Sequence, residues 1–144
     1  MKRKLDCVLL IDDDEPTNFL NKMIIEETGM VKEVKVAQSA REALEYLSGK
    51  QQTVVSGQLS TPELILLDIN MPAMDGWEFL ERYDKLSPEL KASIIVVMLT
   101  TSFNPEDELK ASRISYISSF RNKPLTQEIV LGILEKHFGW QHGA

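Results

Sequence analysis

The sequence predicts an α/β protein, a parallel sheet with helices on both faces. Three observations predict it. Five short runs rich in Val, Ile and Leu recur along the chain; an amphipathic segment with start or stop signals follows each; and the first, third and fourth runs are continuously apolar. Runs that short and that apolar suit strands covered on both faces, whereas half-buried strands would alternate. Strands alternating with helices then imply right-handed crossovers and a parallel sheet.

The first run is "DCVLLI" (residues 6–11). From Glu15 to Gly29 the residues Phe19, Leu20, Met23, Ile24 and Glu27 recur at spacings of three and four, an amphipathic helix with Gly29 as its stop. The second run, "EVKVA" (33–37), alternates more and suits an edge. In "SAREALEYLSG", Ser39 and Glu42 form a capping box before Ala43, Leu44 and Leu47, and Gly49 closes the helix. Residues 49–63 are polar, contain Gly and Pro, and read as a long surface loop.

"ELILLD" (63–68) is the third strand. In the helix after it, Asp75 is the cap, Gly76 permits a tight turn, Trp77, Leu80 and Tyr83 or Asp84 sit one turn apart, and the end comes before Pro88. "SIIVVML" (93–99) is the fourth strand, and the next helix opens with Asn104 as N-cap, Pro105 and a first turn of acids that meet the positive end of the helix dipole. "SYISSF" (115–120) is the fifth strand, and the last helix runs from Thr126 to about Phe138.

At 144 residues the chain has the size of one domain, able to bury roughly two-thirds of its unfolded surface. The expectation is a single unit over residues 1–144, with its core at about 4–138 and no output domain. Its 16 basic and 22 acidic residues give a net charge of −6, which argues against binding nucleic acid through phosphates. The lone Cys7 reads as a small buried apolar residue in a reducing compartment. The basic head lacks a signal-peptide cleavage site, and no stretch approaches the ~20 apolar residues that cross a bilayer. The expected location is the cytoplasm, away from membranes.

In an open parallel sheet, ligands bind beyond the carboxyl ends of the strands where strand order reverses. That rule gathers Asp12 and Asp13 from the first strand, Asp68 from the third, Thr100 from the fourth and Lys123 from the fifth. Crowded carboxylates repel unless a cation neutralises them, and an all-oxygen donor set suits Mg²⁺. An ammonium and a hydroxyl facing the same place supply donors for phosphoryl oxygens.

These motifs, "LLIDDDEP", "LLDINMPAMDGWEFL", "VVMLTTS" and "NKPL", resemble in order and spacing those of the receiver domain of two-component response regulators. The resemblance implies a flavodoxin-like (βα)5 fold with strand order 2-1-3-4-5 and a phosphorylation-activated switch rather than an enzyme. It implies Asp68 as phosphoacceptor and Mg²⁺ held by Asp13, Asp68 and the main-chain carbonyl of Asn70, with Asp12 acting through water. A register shift to Asp13 and Asp14 as the acidic pair stays open, and Asp14 alternatively caps the first helix. Lys123 would pair with the phosphoryl group, beside a cis Lys123–Pro124 peptide. Thr100 and Phe120 would form the switch, and Asn70 and Ser102 would tune hydrolysis.

The resemblance further implies a histidine kinase or phosphotransfer protein docking on the first helix through exposed Asn18, Asn21 and Lys22. A downstream protein or second receiver would meet the fourth helix, fifth strand and fifth helix. The protein would be a monomer or a weak phosphorylation-dependent dimer. Trp77 is expected to pack close to the site, Trp140 to cover the sheet's end or meet a partner, and His137 and His142 to lie beyond the core helix without a metal or phosphoryl role. Two rival readings are a Mg²⁺-dependent aspartyl-phosphate phosphatase or phosphotransferase, disfavoured by Asn70 where such enzymes carry Asp, and a degenerate receiver acting as a constitutive interaction module.

Overall fold

In a computed structural model, residues 4–48, 62–86, 94–100, 104–115 and 117–139 are described. The order is β1 (Val8–Ile11), α1 (Glu15–Glu27), β2 (Val34–Ala37), α2 (Ala40–Leu47), β3 (Leu64–Asp68), α3 (Gly76–Tyr83), β4 (Ile95–Thr100), α4 (Pro105–Ser112), β5 (Ile117–Asn122) and α5 (Gln127–Phe138). The five strands are parallel in the order β2-β1-β3-β4-β5. This is the doubly wound arrangement that the sequence predicts, with order reversing between β1 and β3.

Strand periodicity divides the core. Leu9, Ile11, Ile65, Leu67, Val96 and Met98 face a cluster with Ala40 and Ala43 of α2 and Phe79, Leu80 and Tyr83 of α3. Val8, Leu10, Leu64, Leu66, Val97 and Leu99 face the opposite cluster, with Ile25 of α1 and Val130, Ile133 and Leu134 of α5. Because side chains alternate at a period of two, a run buried on both faces must be apolar at every position. The Phe79 and Tyr83 rings stack at a centroid distance of 5.8 Å.

Local signals set most helix ends. Ser39 Oγ accepts from Glu42 N at 3.0 Å, but the Glu42 carboxylate reaches back to Gln38 N rather than to Ser39. Asn104 and Thr126 cap α4 and α5 through their side chains, and Gly139 closes α5 at φ +70. Thr100 lies within β4, and β5 runs to Asn122 with a register shift between Val96 and Val97, so both strands extend further than the apolar runs suggest. Gly49, Pro88, most of the 49–63 loop, Ser102, Trp140 and His142 lie outside the described residues.

The phase of α1 departs from expectation. Of the expected apolar face, Phe19, Leu20 and Met23 are 68%, 53% and 39% exposed and only Ile24 packs, half-buried, against the core, while Asn18 and Asn21, expected on the surface, are 3% and 6% exposed. The buried stripe is Asn18, Asn21 and Ile25. Two polar contacts set this rotation. Asp14 accepts from Thr17 N at 3.1 Å and from the Thr17 hydroxyl, and Asn18 Nδ2 donates to the Asp12 carbonyl at 2.8 Å. Once those anchors hold the first turn, the rest of the helix follows at 3.6 residues per turn.

Candidate functional site

The carboxyl ends of β1 and β3 carry the acids. Asp12 continues the β1–β2 pairing through its N–H to the Ala37 carbonyl at 3.2 Å, and the residue is 4% exposed. Asp68 is the last residue of β3 and 5% exposed, whereas Asp13 is exposed. One carboxylate oxygen from each of Asp12, Asp13 and Asp68 lies within 4.8 Å of the others. Asp14 is outside this group and is the α1 cap, so the first-register pairing of Asp12 with Asp13 is the one the geometry favours. Hydrogen bonds from Thr17 hold the Asp14 carboxyl below its ordinary range.

Lys123 enters from the other side. Its Nζ is 2.5 Å from Asp12 Oδ2 and 3.1 Å from Asp68 Oδ1, with only 11% of the side chain exposed. The placement is structural: Lys123 N donates to the Thr100 carbonyl at 2.7 Å, which ties the residue after β5 to the end of β4, and the Lys123–Pro124 peptide is cis. Thr100 itself is 1% exposed at the end of β4. Burial pushes the Asp68 carboxyl up, opposed by the Lys123 hydrogen bond and reinforced by the charges of Asp12 and Asp13. Burial disfavours the lysine's charge too, but its bonds to Asp12 and Asp68 outweigh that and raise its pKa.

The β3–α3 loop is fixed by close packing. Gly76 N donates to Ile69 O at 2.8 Å, and a Cβ on Gly76 would lie 2.9 Å from the Asp68 carbonyl oxygen. The sequence suggests Gly76 as a turn former; its actual role is to let α3 press onto the main chain of the acidic strand. The left-handed residue of the loop is Ala73, at φ 66. Asn70 is exposed, two residues beyond Asp68. Asp75 caps α3, accepting from Glu78 N at 3.0 Å, and half-buried Trp77 receives Lys110 of α4 over its ring at 4.5 Å.

The other expected residues sit elsewhere. Phe120 is half-buried on β5 against the α3-side core. His137 belongs to the last turn of α5 rather than lying beyond it, and its Nε2 is 2.7 Å from Ser119 Oγ. Cys7 is fully buried, Sγ 3.8 Å from the Tyr46 hydroxyl, and burial pushes its thiol up to about 11, which suits an unreactive core residue. Missed from sequence was a groove of about 450 Å³ beside the acids, lined by Thr17, Leu20, Asn21, Ile24, Lys123, Pro124 and Leu125. Its signal was present as the "KPL" motif, but the helix facing it was phased wrongly. No helix among the described residues is long and apolar enough to cross a membrane.

Three acids with oxygen donors only, on strand ends beside a buried ammonium, fit a hard divalent cation and a phosphoryl group. Comparison with known proteins agrees. The family described as response regulator receiver domain matches residues 8–135. The probable methanogenesis regulatory protein FilR2 of Methanothrix harundinacea is 32% identical over 92% of this chain and 84% of its own length. Response regulator Rcp1 of Synechocystis is 31% identical over 88% of this chain and 84% of its own. The crystal structure of a two-component response regulator from Cytophaga hutchinsonii superposes with a TM-score of 0.80 at 33% identity, covering 96% of this chain and all of that one.

Proposed function

Because this chain belongs to the response regulator receiver domain family, a family of phosphorylation-activated signalling switches, we propose that Asp68 is its phosphoacceptor and that Lys123, Asp12 and Asp13 complete the site. The observation that carries the reading is the convergence of the three carboxylates and the Lys123 ammonium at the strand-order reversal. A carboxylate oxygen of Asp68 attacks the phosphorus of a phosphohistidine donor. The P–O bond forms as the P–N bond breaks, and the leaving imidazole takes a proton from solvent. Lys123, already beside Asp68, balances the charge of the incoming phosphoryl oxygens.

Asp12, Asp13, Asp68 and the Asn70 carbonyl are the groups that would hold Mg²⁺, which would supply positive charge to the crowded acids and to the phosphoryl group. Thr100, on the strand that shares a main-chain hydrogen bond with Lys123, and Phe120, on β5, are the pair through which the state of Asp68 reaches the α4–β5–α5 face. That face offers Leu109, 54% exposed, and the half-exposed edge strand β5 to a downstream protein. The donor, a histidine kinase or phosphotransfer protein, docks on α1. There Phe19, Leu20 and Met23 form an exposed apolar patch that continues into the groove beside Lys123. On this reading the protein works in the cytoplasm.

Incubation with Mg²⁺ and acetyl phosphate should add one phosphoryl mass to the intact protein, absent in Asp68→Asn. An unlabelled wild type refutes the phosphoacceptor assignment, and multiple turnover of a simple phosphomonoester would favour the enzyme reading instead. Phe19→Ser should leave acetyl phosphate labelling intact while impairing transfer from a phosphorylated histidine phosphotransfer protein; equal loss of both would refute the docking role.

A further inference from the structure

We propose that Asn18 is a positioning residue for the acidic site: from the core face of α1 it fixes the main chain of Asp12 and Asp13, and thereby sets the affinity for Mg²⁺. The inference rests on the reading of Asp12, Asp13 and Asp68 as a Mg²⁺ site. Its basis is a buried amide in an unexpected place. Asn18 is 3% exposed, its Nδ2 donates to the Asp12 carbonyl at 2.8 Å, and its Oδ1 is buried with no hydrogen-bond partner among the described residues.

As a packing element, Asn18 is a poor choice. A buried carbonyl oxygen that gives up water without gaining a donor opposes folding, and an apolar side chain of the same size would fill the space without that loss. Residues that break such rules concentrate where function needs them. Asn18 gives up half of its amide's hydrogen bonding in order to hold one peptide, the one joining Asp12 to Asp13.

That peptide matters because each acid depends on it differently. The Asp12 carboxylate is held by its side-chain partners, the Asp14 N–H at 2.9 Å and Lys123 Nζ at 2.5 Å. Asp13 is exposed, so the path of its main chain aims its carboxylate. On the strand side, the Asp12 N–H is pinned to Ala37 O at 3.2 Å. On the helix side, the Asp12 carbonyl is pinned by Asn18. Without the second pin the peptide pivots about the first, and Asp13 leaves the group whose oxygens lie within 4.8 Å. Partners that orient ligands without touching the metal typically contribute tenfold or more to affinity.

The test is Mg²⁺ titration of the full chain, read by tryptophan fluorescence, with thermal unfolding measured separately in EDTA. Trp77 follows Gly76, which packs on the Asp68 carbonyl, and reports the site. Asn18→Leu should bind Mg²⁺ about tenfold more weakly, and Asn18→Ser should weaken it in the same direction. Ile25→Val trims the same buried stripe without touching the loop and should lower the unfolding midpoint with Mg²⁺ affinity unchanged. Wild-type affinity in a folded Asn18 variant, or an equal affinity loss in Ile25→Val, overturns the proposal. In the wild type, the Asn18 side-chain NH₂ signals should resist solvent exchange and shift as Mg²⁺ is added; unshifted signals overturn it without any variant. A wild type that binds no Mg²⁺ would instead remove the underlying site.

Discussion

Replacing Lys123 by Met is the sharpest test of the site's electrostatics. The substitution keeps the length of the side chain and removes the cation that sits 2.5 Å from Asp12 and 3.1 Å from Asp68. At an effective dielectric constant of ~20, each contact is worth on the order of 5 kcal/mol before the desolvation of the three groups is charged against it. Removing one partner of a buried pair typically destabilises by about 3–5 kcal/mol. The lower end, about 3 kcal/mol, fits here, because the lysine is 11% exposed and the stranded acids can take up a proton. With a urea slope near 1.5 kcal/mol/M, the midpoint at pH 7 in EDTA should fall by about 2 M.

The pH dependence has a definite sign. The folded-state pKa of Asp68 is already raised by burial, and loss of the lysine raises it further. An acid with a raised folded pKa opposes folding when it is charged. The penalty is therefore complete above that pKa and disappears as pH falls towards the unfolded value, so variant and wild type should converge in acid. Mg²⁺ should raise the variant's midpoint more than the wild type's, since it supplies the missing charge and meets no competing ammonium. A variant within about 1 kcal/mol of wild type in EDTA at pH 7 would refute the reasoning.

Three further substitutions probe the surroundings. Gly76→Ala places a methyl 2.9 Å from the Asp68 carbonyl oxygen and 3.0 Å from Ile69 Cα, both main chain; it should lower stability by about 1–3 kcal/mol in urea titrations and slow labelling by acetyl phosphate, and an unaltered midpoint would contradict the close approach. Ala73→Gly removes the left-handed strain at φ 66 and should raise the midpoint by the equivalent of ~0.5 kcal/mol after the added unfolded-state entropy of glycine; a fall would show that the turn does not carry that strain. Asn21→Leu exchanges a carboxamide 6% exposed for an apolar group of similar volume and should stabilise by about 1 kcal/mol, with phosphotransfer from a donor protein as the property that suffers. A destabilised Asn21→Leu with normal transfer would refute both halves.

What the sequence made legible, and what it hid, separate along a physical line. Strands buried on both faces announce themselves because every position must be apolar, and from the strand order the end-of-strand residues Asp12, Asp68 and Lys123 fall together. Side-chain caps were legible because they are local: Asp75 and Asn104 each act within three residues of themselves. Gly76 was assigned to the wrong cause because the backbone it touches, Asp68 and Ile69, is brought to it only by the fold.

The phase of α1 failed for a related reason. Apolar periodicity assumes that packing sets the rotation of a helix, and along α1 it points to Phe19, Leu20 and Met23. Here hydrogen bonds to the preceding loop set it: Asp14 caps the first turn and Asn18 grips the Asp12 carbonyl. The buried stripe lies on nearly the opposite side of the helix, about 160° from the expected face. That difference buries two amides and leaves three large apolar side chains on the surface, of which Leu20 lines the groove beside Lys123. On the proposed reading, the contacts that steady the acids also expose the patch on which a phosphodonor would dock, so that binding and chemistry would both be set from one helix.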